Sequence, residues 1–206
     1  MRLSRRHLLK AGAFAAAASV TPAVAAGRTV DRSRLLAVAE LLLKRNVSRI
    51  DFRDVMAFAD FSAPSWTQRF HLVDLERREV TSLLTAHGRG SDPAHTGWLR
   101  SFSNEPGSNA SSNGAYVTGA QYDGKYGRAM RLAGLDPENS NAERRAIVIH
   151  QAWYVGDDMI AKYGKLGRSE GCFALSDAGL QQTLAALGPG RLLYAGKLDD
   201  LPIQAG

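Results

Sequence analysis

The segment Ala146-Ile147-Val148-Ile149-His150 is followed, 22 residues after His150, by Cys172 in the run Ser169-Glu170-Gly171-Cys172. The first run is apolar and rich in β-branched residues, which predicts a buried strand that ends at His150. The second follows a glycine-studded loop, residues 164–171, and holds the chain's one cysteine. Because an imidazole can take the proton of a thiol and then stabilise the thiolate, this pattern favours a nucleophilic cysteine. A small buried cysteine beside a strand-end histidine is the alternative.

The sequence on either side of these runs predicts a mainly β fold with a few helices. Residues 33–45 carry apolar side chains at helical spacing, with Asp31 or Ser33 available as the N-cap. Residues 68–75 and 79–86 predict a hairpin, further strands are expected at 115–122, 146–150 and 191–195, and Ser176 can cap a helix through Leu187. The loop 101–114 is so rich in turn-forming polar residues that we expect it to be exposed.

The charge of the chain is concentrated at its start. The 206 residues include 26 Lys+Arg and 20 Asp+Glu, for a formal net charge of +6, but four of the cations lie in the first ten residues, at Arg2, Arg5, Arg6 and Lys10. The remainder carries only +2, so a nucleic-acid partner is not expected.

Residues 1–25 combine this paired-arginine region with a weakly apolar, alanine-rich core and small residues at 23–25. This pattern is typical of a twin-arginine signal peptide, with an ordinary helix or an uncleaved anchor as alternatives. We therefore expect export to the periplasm and no stable membrane span after cleavage. Residues 26–50 would form a helical lead-in and residues 51–206 the functional domain.

Several motifs in order resemble the L,D-transpeptidase (YkuD-like) superfamily, in its divergent proteobacterial branch. Those proteins carry a histidine, a loop, and then Ser/Thr-His-Gly-Cys. The match includes His150, Ser169, Gly171 and Cys172, and the resemblance spans roughly residues 50–196. The supporting motifs are Asp60-Phe61-Ser62 with Pro64-Ser65, Ala86-His87-Gly88-Arg89, Gly107-Ser108-x-x-Ser111-Ser112-x-Gly114-x-Tyr116 and Ile149-His150-x-x-x-Tyr154-Val155.

The resemblance implies a β-sandwich catalytic domain that uses no cofactor and acts on peptidoglycan stem peptides. Cys172 would attack the diaminopimelate carbonyl of a donor tetrapeptide, release D-Ala and hold a thioester, with His150 as base and later acid. Ser169 would order the loop, and the amides around Gly171 and Cys172 would bind the oxyanion. The acceptor would be an amine of L-Ala or of diaminopimelate on a second stem. The sequence does not fix the oligomeric state.

The chain departs from the family pattern at two places. Glu170 replaces a second histidine, and Phe173-Ala174-Leu175 stands where relatives usually have an arginine and a polar residue. The substrate contacts of that arginine would be missing or would come from elsewhere, with Arg168 and Arg144 as candidates. Further candidates for substrate binding are Glu170, which would receive the acceptor's ammonium group or orient His150, and also Tyr116, His87 and Ser112.

Each of these candidates has a simpler alternative: a solvated carboxylate for Glu170, a packed ring for Tyr116 and a turn histidine for His87. His71 and His95 show no metal-ligand spacing with acidic residues, so no metal is expected. Two other functions remain open, a peptidoglycan L,D-carboxypeptidase or endopeptidase that uses the same cysteine, and a non-catalytic wall-binding domain. A papain-like peptidase would place its cysteine before its histidine, the reverse of the order here.

Overall fold

A computed structural model describes residues 31–124 and 127–201 of the chain. The predicted signal peptide at residues 1–25 lies outside this part. Within it, helix α1 (Arg32–Arg45) is followed by the strands and helices β1 (Val55–Asp60), β2 (Phe70–Asp74), β3 (Glu79–Leu83), β4 (Gly114–Gly124), β5 (Gly127–Gly134), β6 (Val148–Gln151), α2 (Asp157–Tyr163), β7 (Phe173–Leu175), α3 (Asp177–Ala186) and β8 (Leu192–Gly196). No helix among these is long and apolar enough to cross a membrane.

The strands form one mixed sheet in the order β3-β2-β1-β8-β4-β5-β6-β7. The β1–β8 and β6–β7 pairs are parallel and the other pairs are antiparallel. Ala86, three residues after β3, makes an antiparallel bridge to Ala174 in β7, which brings the two ends of the sheet order together. The result is a barrel-like, sandwich-like β fold with three α-helices in the described residues, so the predicted fold class is confirmed.

Strand β1 shows how the sheet separates two hydrophobic clusters. Ala57 and Ala59 pack into the interior of the curved sheet, whereas Met56 and Phe58 pack on the opposite face beneath α1. Successive side chains of a strand point to opposite faces, and here both faces are covered. The Asp31 side chain accepts a hydrogen bond from the Ser33 N–H and caps α1, so the helix predicted at 33–45 is confirmed and is part of the packed structure.

Other local predictions are also confirmed. The hairpin of β2 and β3 pairs Phe70 with Leu83 through Asp74 with Glu79, and the Ser176 side chain accepts from the Gly179 N–H at the start of α3. Four strands or helices were not predicted: β1, β5, the short strand β7 and helix α2. Two of these, β7 and α2, border the site described below.

The expectation that the whole 101–114 loop is exposed was wrong. Ala110, Ser111 and Ser112 are each no more than 2% exposed. Their polar groups are satisfied by distant parts of the chain, because the Gly88 N–H donates to Ser111 Oγ and the Ser111 N–H donates to Ser91 Oγ. A polar loop can be buried when such partners are present, and a local pattern cannot show them.

Candidate active site

The pairing of β6 with β7 brings the cysteine and the histidine close in the fold. His150 lies opposite Ala174 in the parallel register, and Ile149 lies opposite Phe173. Cys172 directly precedes β7, two residues before Ala174. For paired strands this offset corresponds to about 8 Å between the Cα atoms of His150 and Cys172. The two residues predicted from sequence are therefore close in the fold, with His150 on β6 and Cys172 directly before β7.

The thiol of Cys172 contacts backbone groups at the start of β6 and just before it. Its Sγ donates a hydrogen bond to the carbonyl of Ala146 at 3.5 Å. Ala146 has a φ of +53°, a left-handed conformation that is uncommon for a residue with a side chain. Burial raises the pKa of Cys172, although a backbone hydrogen bond from Val148 and the charge of Arg145 oppose this shift. The resting thiol is therefore protonated at neutral pH.

The His150 ring has one fixed tautomer. Its Nδ1 lies 2.7 Å from the carbonyl oxygen of Gln151, and because a carbonyl only accepts, Nδ1 carries the proton. The neutral ring therefore has its lone pair on Nε2, as a proton acceptor requires. Burial lowers the pKa of His150, and the Gln151 carbonyl opposes the shift. In the part of the chain that the structure describes, no hydrogen bond joins the two side chains, which form a neutral pair.

Ser169 organises the loop that carries the cysteine. Its hydroxyl donates to the Cys172 carbonyl at 2.7 Å and accepts from the Gly171 N–H at 3.1 Å. Its backbone N–H donates to the His87 carbonyl, and its own carbonyl accepts from the Arg89 N–H. The Gly171 amide is thus already bonded, which leaves the Cys172 amide as the donor of this pair that an oxyanion could use.

Gly171 is the point where only glycine fits. Its φ is +116°. A Cβ at this position would lie 2.6 Å from the Ala110 carbonyl oxygen, 2.9 Å from Ile147 Cδ1 and 3.0 Å from Arg145 Nη2. The backbone of the loop that carries Cys172 therefore lies directly against the carbonyl of Ala110 and against the guanidinium group of Arg145.

That guanidinium belongs to Arg145, a residue that the sequence analysis did not select. It donates to the carbonyls of Ser103 and Ala110 and to the hydroxyl of Ser112. Its charge lowers the pKa of Cys172. A sequence signal did exist, since Arg145 immediately precedes the run that ends at His150, but nothing local distinguishes it from the other arginines of the chain.

The candidate cation Arg168 has a different environment. Its guanidinium donates to the carbonyls of Asp92 and Pro93. Glu170 forms an exposed ion pair with Arg89, with 3.0 Å between Oε1 and Nη2, and its charge raises the pKa of Cys172. Glu170 is thus near the thiol but already has a cationic partner.

Two candidates for substrate binding lie in the core. Tyr116 is 0% exposed, its hydroxyl donates to the Ser112 carbonyl at 3.0 Å, and its ring contacts Phe173 edge-on. The Ser112 hydroxyl donates to the Ser103 carbonyl while accepting from Arg145. In this conformation neither side chain is open to a substrate, so the structure favours the packing role for Tyr116.

His87 is also buried, at 1% exposure. Its Nδ1 accepts from Arg69 Nη2 at 2.7 Å, which places its proton on Nε2, 3.4 Å from Asp92 Oδ2. Burial, followed by the charge of Arg69, lowers the pKa of His87 to about 3. The ring therefore does not line the cleft, but the His87 carbonyl accepts a hydrogen bond from the Ser169 N–H.

Arg69 is a fully buried cation under the same loop. It donates to the carbonyls of Thr85 and Ala63 as well as to His87, and its guanidinium lies 5.1 Å from the centre of the Phe61 ring. Burial lowers its pKa to about 9, which leaves it charged at neutral pH. The loop that carries Cys172 thus lies on a buried polar network in which Arg69 contacts two carbonyls and the His87 ring.

Tyr154 belongs to one of the motifs of the sequence analysis, which assigned it no role. Burial, followed by the charges of Cys172 and Glu170, raises its pKa to about 12. Its phenol therefore stays protonated beside the thiol. The neighbouring Trp153 is 83% exposed and contacts the Tyr154 ring edge-on. This aromatic pair follows His150 and precedes α2.

Comparison with known proteins gives one family and several structural matches. The family model described as L,D-transpeptidase catalytic domain (YkuD_2) matches residues 30–195. No curated protein matches the chain.

Among solved structures, an L,D-transpeptidase from Mycobacterium smegmatis is 14% identical, with a TM-score of 0.43, over 69% of this chain and 58% of that chain. An L,D-transpeptidase from Mycobacterium tuberculosis H37Rv is 15% identical, with a TM-score of 0.43, over 70% of this chain and 58% of that chain. The chain thus spans less than two thirds of the length of these structures.

Proposed function

The chain belongs to the family of L,D-transpeptidase catalytic domains, and on that premise we propose that it is a cysteine acyltransferase acting on peptidoglycan stem peptides. The observation that carries the proposal is the pairing of β6 with β7, which brings Cys172, directly before β7, close to His150 on β6. Cys172 is the nucleophile and His150 is the base. Ser169 and Gly171 fix the conformation of the loop that carries Cys172. This assignment of roles agrees with the resemblance found in the sequence.

The first step is transfer of the thiol proton to His150. The Gln151 carbonyl holds Nδ1–H, so the proton from Sγ goes to Nε2 and the ring becomes an imidazolium. Because burial disfavours both charged forms at rest, the ion pair forms when substrate is bound rather than beforehand. The thiolate then loses its hydrogen bond to the Ala146 carbonyl, since that bond needs the thiol proton.

The second step forms the thioester. The thiolate attacks the diaminopimelate carbonyl of a donor tetrapeptide, and the carbonyl oxygen takes the negative charge. The Cys172 amide is available to bind this oxyanion, whereas the Gly171 amide is occupied by Ser169. The amide bond to D-Ala then breaks, and the imidazolium gives its proton to the leaving amine.

The third step depends on the acceptor. An amine of L-Ala or of diaminopimelate from a second stem attacks the thioester and gives a proton to His150. The carbon–sulfur bond then breaks as the cross-linking amide forms, and the imidazolium returns its proton to the Cys172 thiolate. Water in the same place would make the protein an L,D-carboxypeptidase, or an endopeptidase on cross-linked substrates. A wall-binding domain without catalysis would need neither side chain. The exposed ion pair of Glu170 and Arg89 holds a carboxylate and a guanidinium group near the loop that carries Cys172, and these are the charges that a zwitterionic peptide would meet.

We further propose that residues 1–25 direct export through the twin-arginine route, that residues 26–50 lead into the domain at 51–206, and that the protein acts in the periplasm. The Arg5-Arg6 pair carries this part of the proposal. A chain with Arg5→Lys and Arg6→Lys that still reaches the periplasm would contradict the route.

The function is tested with purified protein and defined tetrapeptide muropeptides. We expect D-Ala release together with dimers, and fragmentation by mass spectrometry locates the new amide bond. Cys172→Ala should give neither product. Dimers from Cys172→Ala as the sole enzyme would refute the assignment, tripeptides without dimers would identify a hydrolase, and no product from the unmodified chain would favour a binding domain.

A further inference from the structure

The electrostatics of the proposed site leave one problem unsolved. Cys172 and His150 are both neutral at rest because burial disfavours their charged forms. Reaction requires a thiolate and then an oxyanion at the same place. A fixed positive charge close to the sulfur would lower the energy of both states.

Among the described residues, Arg145 is the cation in that position. A Cβ built on Gly171, the residue before the nucleophile, would lie 3.0 Å from Arg145 Nη2. Arg168 is turned to the carbonyls of Asp92 and Pro93, and Arg89 is paired with Glu170. The charge of Arg145 lowers the pKa of Cys172, and the other ionisable groups around the thiol are His150 on β6, Tyr154 after β6, Tyr116 on β4 and Glu170 in the loop that carries Cys172.

Arg145 is held rigidly, which a charge-stabilising group needs to be. Its guanidinium donates to the Ser103 carbonyl, the Ala110 carbonyl and the Ser112 hydroxyl, all in the 101–114 loop. The Ala142–Ile147 turn and the left-handed Ala146 fix the backbone on the other side. Since these partners cost no reorganisation during the reaction, the charge is already in place when the thiolate forms.

We propose that Arg145 stabilises the negative charge that develops at Cys172, and that its three bonds to the 101–114 loop make the ionisation of the nucleophile depend on the order of that loop. The inference rests on the proposed function, because it takes Cys172 as the nucleophile. It adds a positioning residue that the sequence motifs do not contain. The positive charge comes from the segment before β6 and reaches the nucleophile across the fold.

The experiment measures the rate of Cys172 alkylation by iodoacetamide between pH 5 and pH 10. The chain has one cysteine, so labelling reports on this thiol alone, and it needs no peptidoglycan. Arg145→Gln removes the charge and keeps an amide donor for the loop. Arg145→Lys keeps the charge and loses the planar guanidinium group with its several donors. Arg144→Gln removes the same charge from the neighbouring, exposed residue and is the matched control.

We expect Arg145→Gln to raise the apparent pKa of the thiol by about one unit, so that labelling below neutral pH slows about tenfold. Arg145→Lys should recover most of this loss, and Arg144→Gln should leave the profile unchanged. D-Ala release by Arg145→Gln should fall in kcat and recover as the pH is raised, which a purely structural defect would not do.

Near-ultraviolet circular dichroism checks that each variant is folded. If Arg145→Gln is not folded, Arg145→Met takes its place as the neutral variant. An unchanged labelling profile in the folded neutral variant overturns the inference, as does a lysine variant that is as slow as the glutamine variant. Either result leaves the transpeptidase proposal standing. If the unmodified chain forms no cross-links but Arg145→Gln still shifts the Cys172 labelling profile as expected, the proposed function is refuted and the electrostatic role of Arg145 stands.

Discussion

Replacing Gly171 by alanine should damage both the fold and the nucleophile, and the structure gives the size of the effect. The left-handed backbone at φ +116° costs a residue with a side chain about 1–2 kcal/mol. The new Cβ would also lie 2.6 Å from the Ala110 carbonyl oxygen and 2.9 Å from Ile147 Cδ1. Overpacking of this kind costs about 1–3 kcal/mol. The expected loss of unfolding free energy is therefore about 2–5 kcal/mol.

Gly107→Ala is the matched control for the steric part. Gly107 has a φ of +81°, but a Cβ there would meet nothing within 4 Å. It should therefore cost only the backbone term, about 1–2 kcal/mol. Because 1 kcal/mol corresponds to about 2–4 °C in Tm for a chain of this size, a further 2 kcal/mol predicts that Gly171→Ala unfolds about 4–8 °C below the control.

Thermal unfolding followed by circular dichroism gives the two Tm values, and iodoacetamide labelling reports on the thiol. Gly171→Ala should also change the rate of Cys172 labelling, because the Ser169 hydroxyl no longer meets the loop amide in the same place. Equal Tm losses in the two variants, with normal labelling of Cys172 in both, would refute the reasoning from close packing at this glycine.

Three further outcomes follow from the buried network and the core. Arg69→Met should lower the unfolding free energy by about 3–5 kcal/mol in urea titrations, since it leaves buried carbonyls and acids without their cation, whereas the exposed Arg77→Met should change little. Burial lowers the pKa of His71 to about 4 and of His87 to about 3. The folded state thus binds fewer protons, so stability should fall as the pH drops below 6.5, by about 2 kcal/mol for each histidine at pH 5; equal stability at pH 7.5 and pH 5 would contradict this. Tyr116→Phe should cost about 1 kcal/mol through its lost hydrogen bond yet keep D-Ala release within about twofold, and a large loss in a folded variant would return Tyr116 to the substrate site.

The parts of the fold that sequence could predict are those with a local signal. Helix α1 combines helical spacing with a capping aspartate, and α3 begins at a capping serine. Strand β7 has only three residues, too few to show a period, and β5 reads Gly-Arg-Ala-Met-Arg-Leu-Ala-Gly, with no β-branched residue. Both are strands because neighbouring strands pair with them.

The residues of the candidate site also divide into those with a local sequence signal and those placed by distant contacts. Cys172 and His150 stand out in the sequence because their chemistry is rare and their order matches a motif. The burial of Tyr116, Ser112 and His87 depends on partners far away in the chain, and so does the approach of Arg145 to Gly171. Long-range contacts of this kind leave no trace in a local pattern. They determine here which polar residues face a substrate and which support the loop.

A neutral cysteine and histidine pair would also explain how one unpaired thiol persists in the oxidising compartment that we propose for this protein. Oxidants attack the thiolate far faster than the thiol, so a cysteine whose pKa is raised by burial is protected while no substrate is present. The protection has a cost, because the charge must then be created during the reaction. In the proposed mechanism, the Nε2 lone pair of His150 and the fixed cation of Arg145 lower that cost. A site that formed the thiolate permanently would gain reactivity at rest, and in an oxidising compartment it would lose the thiol on which its activity depends.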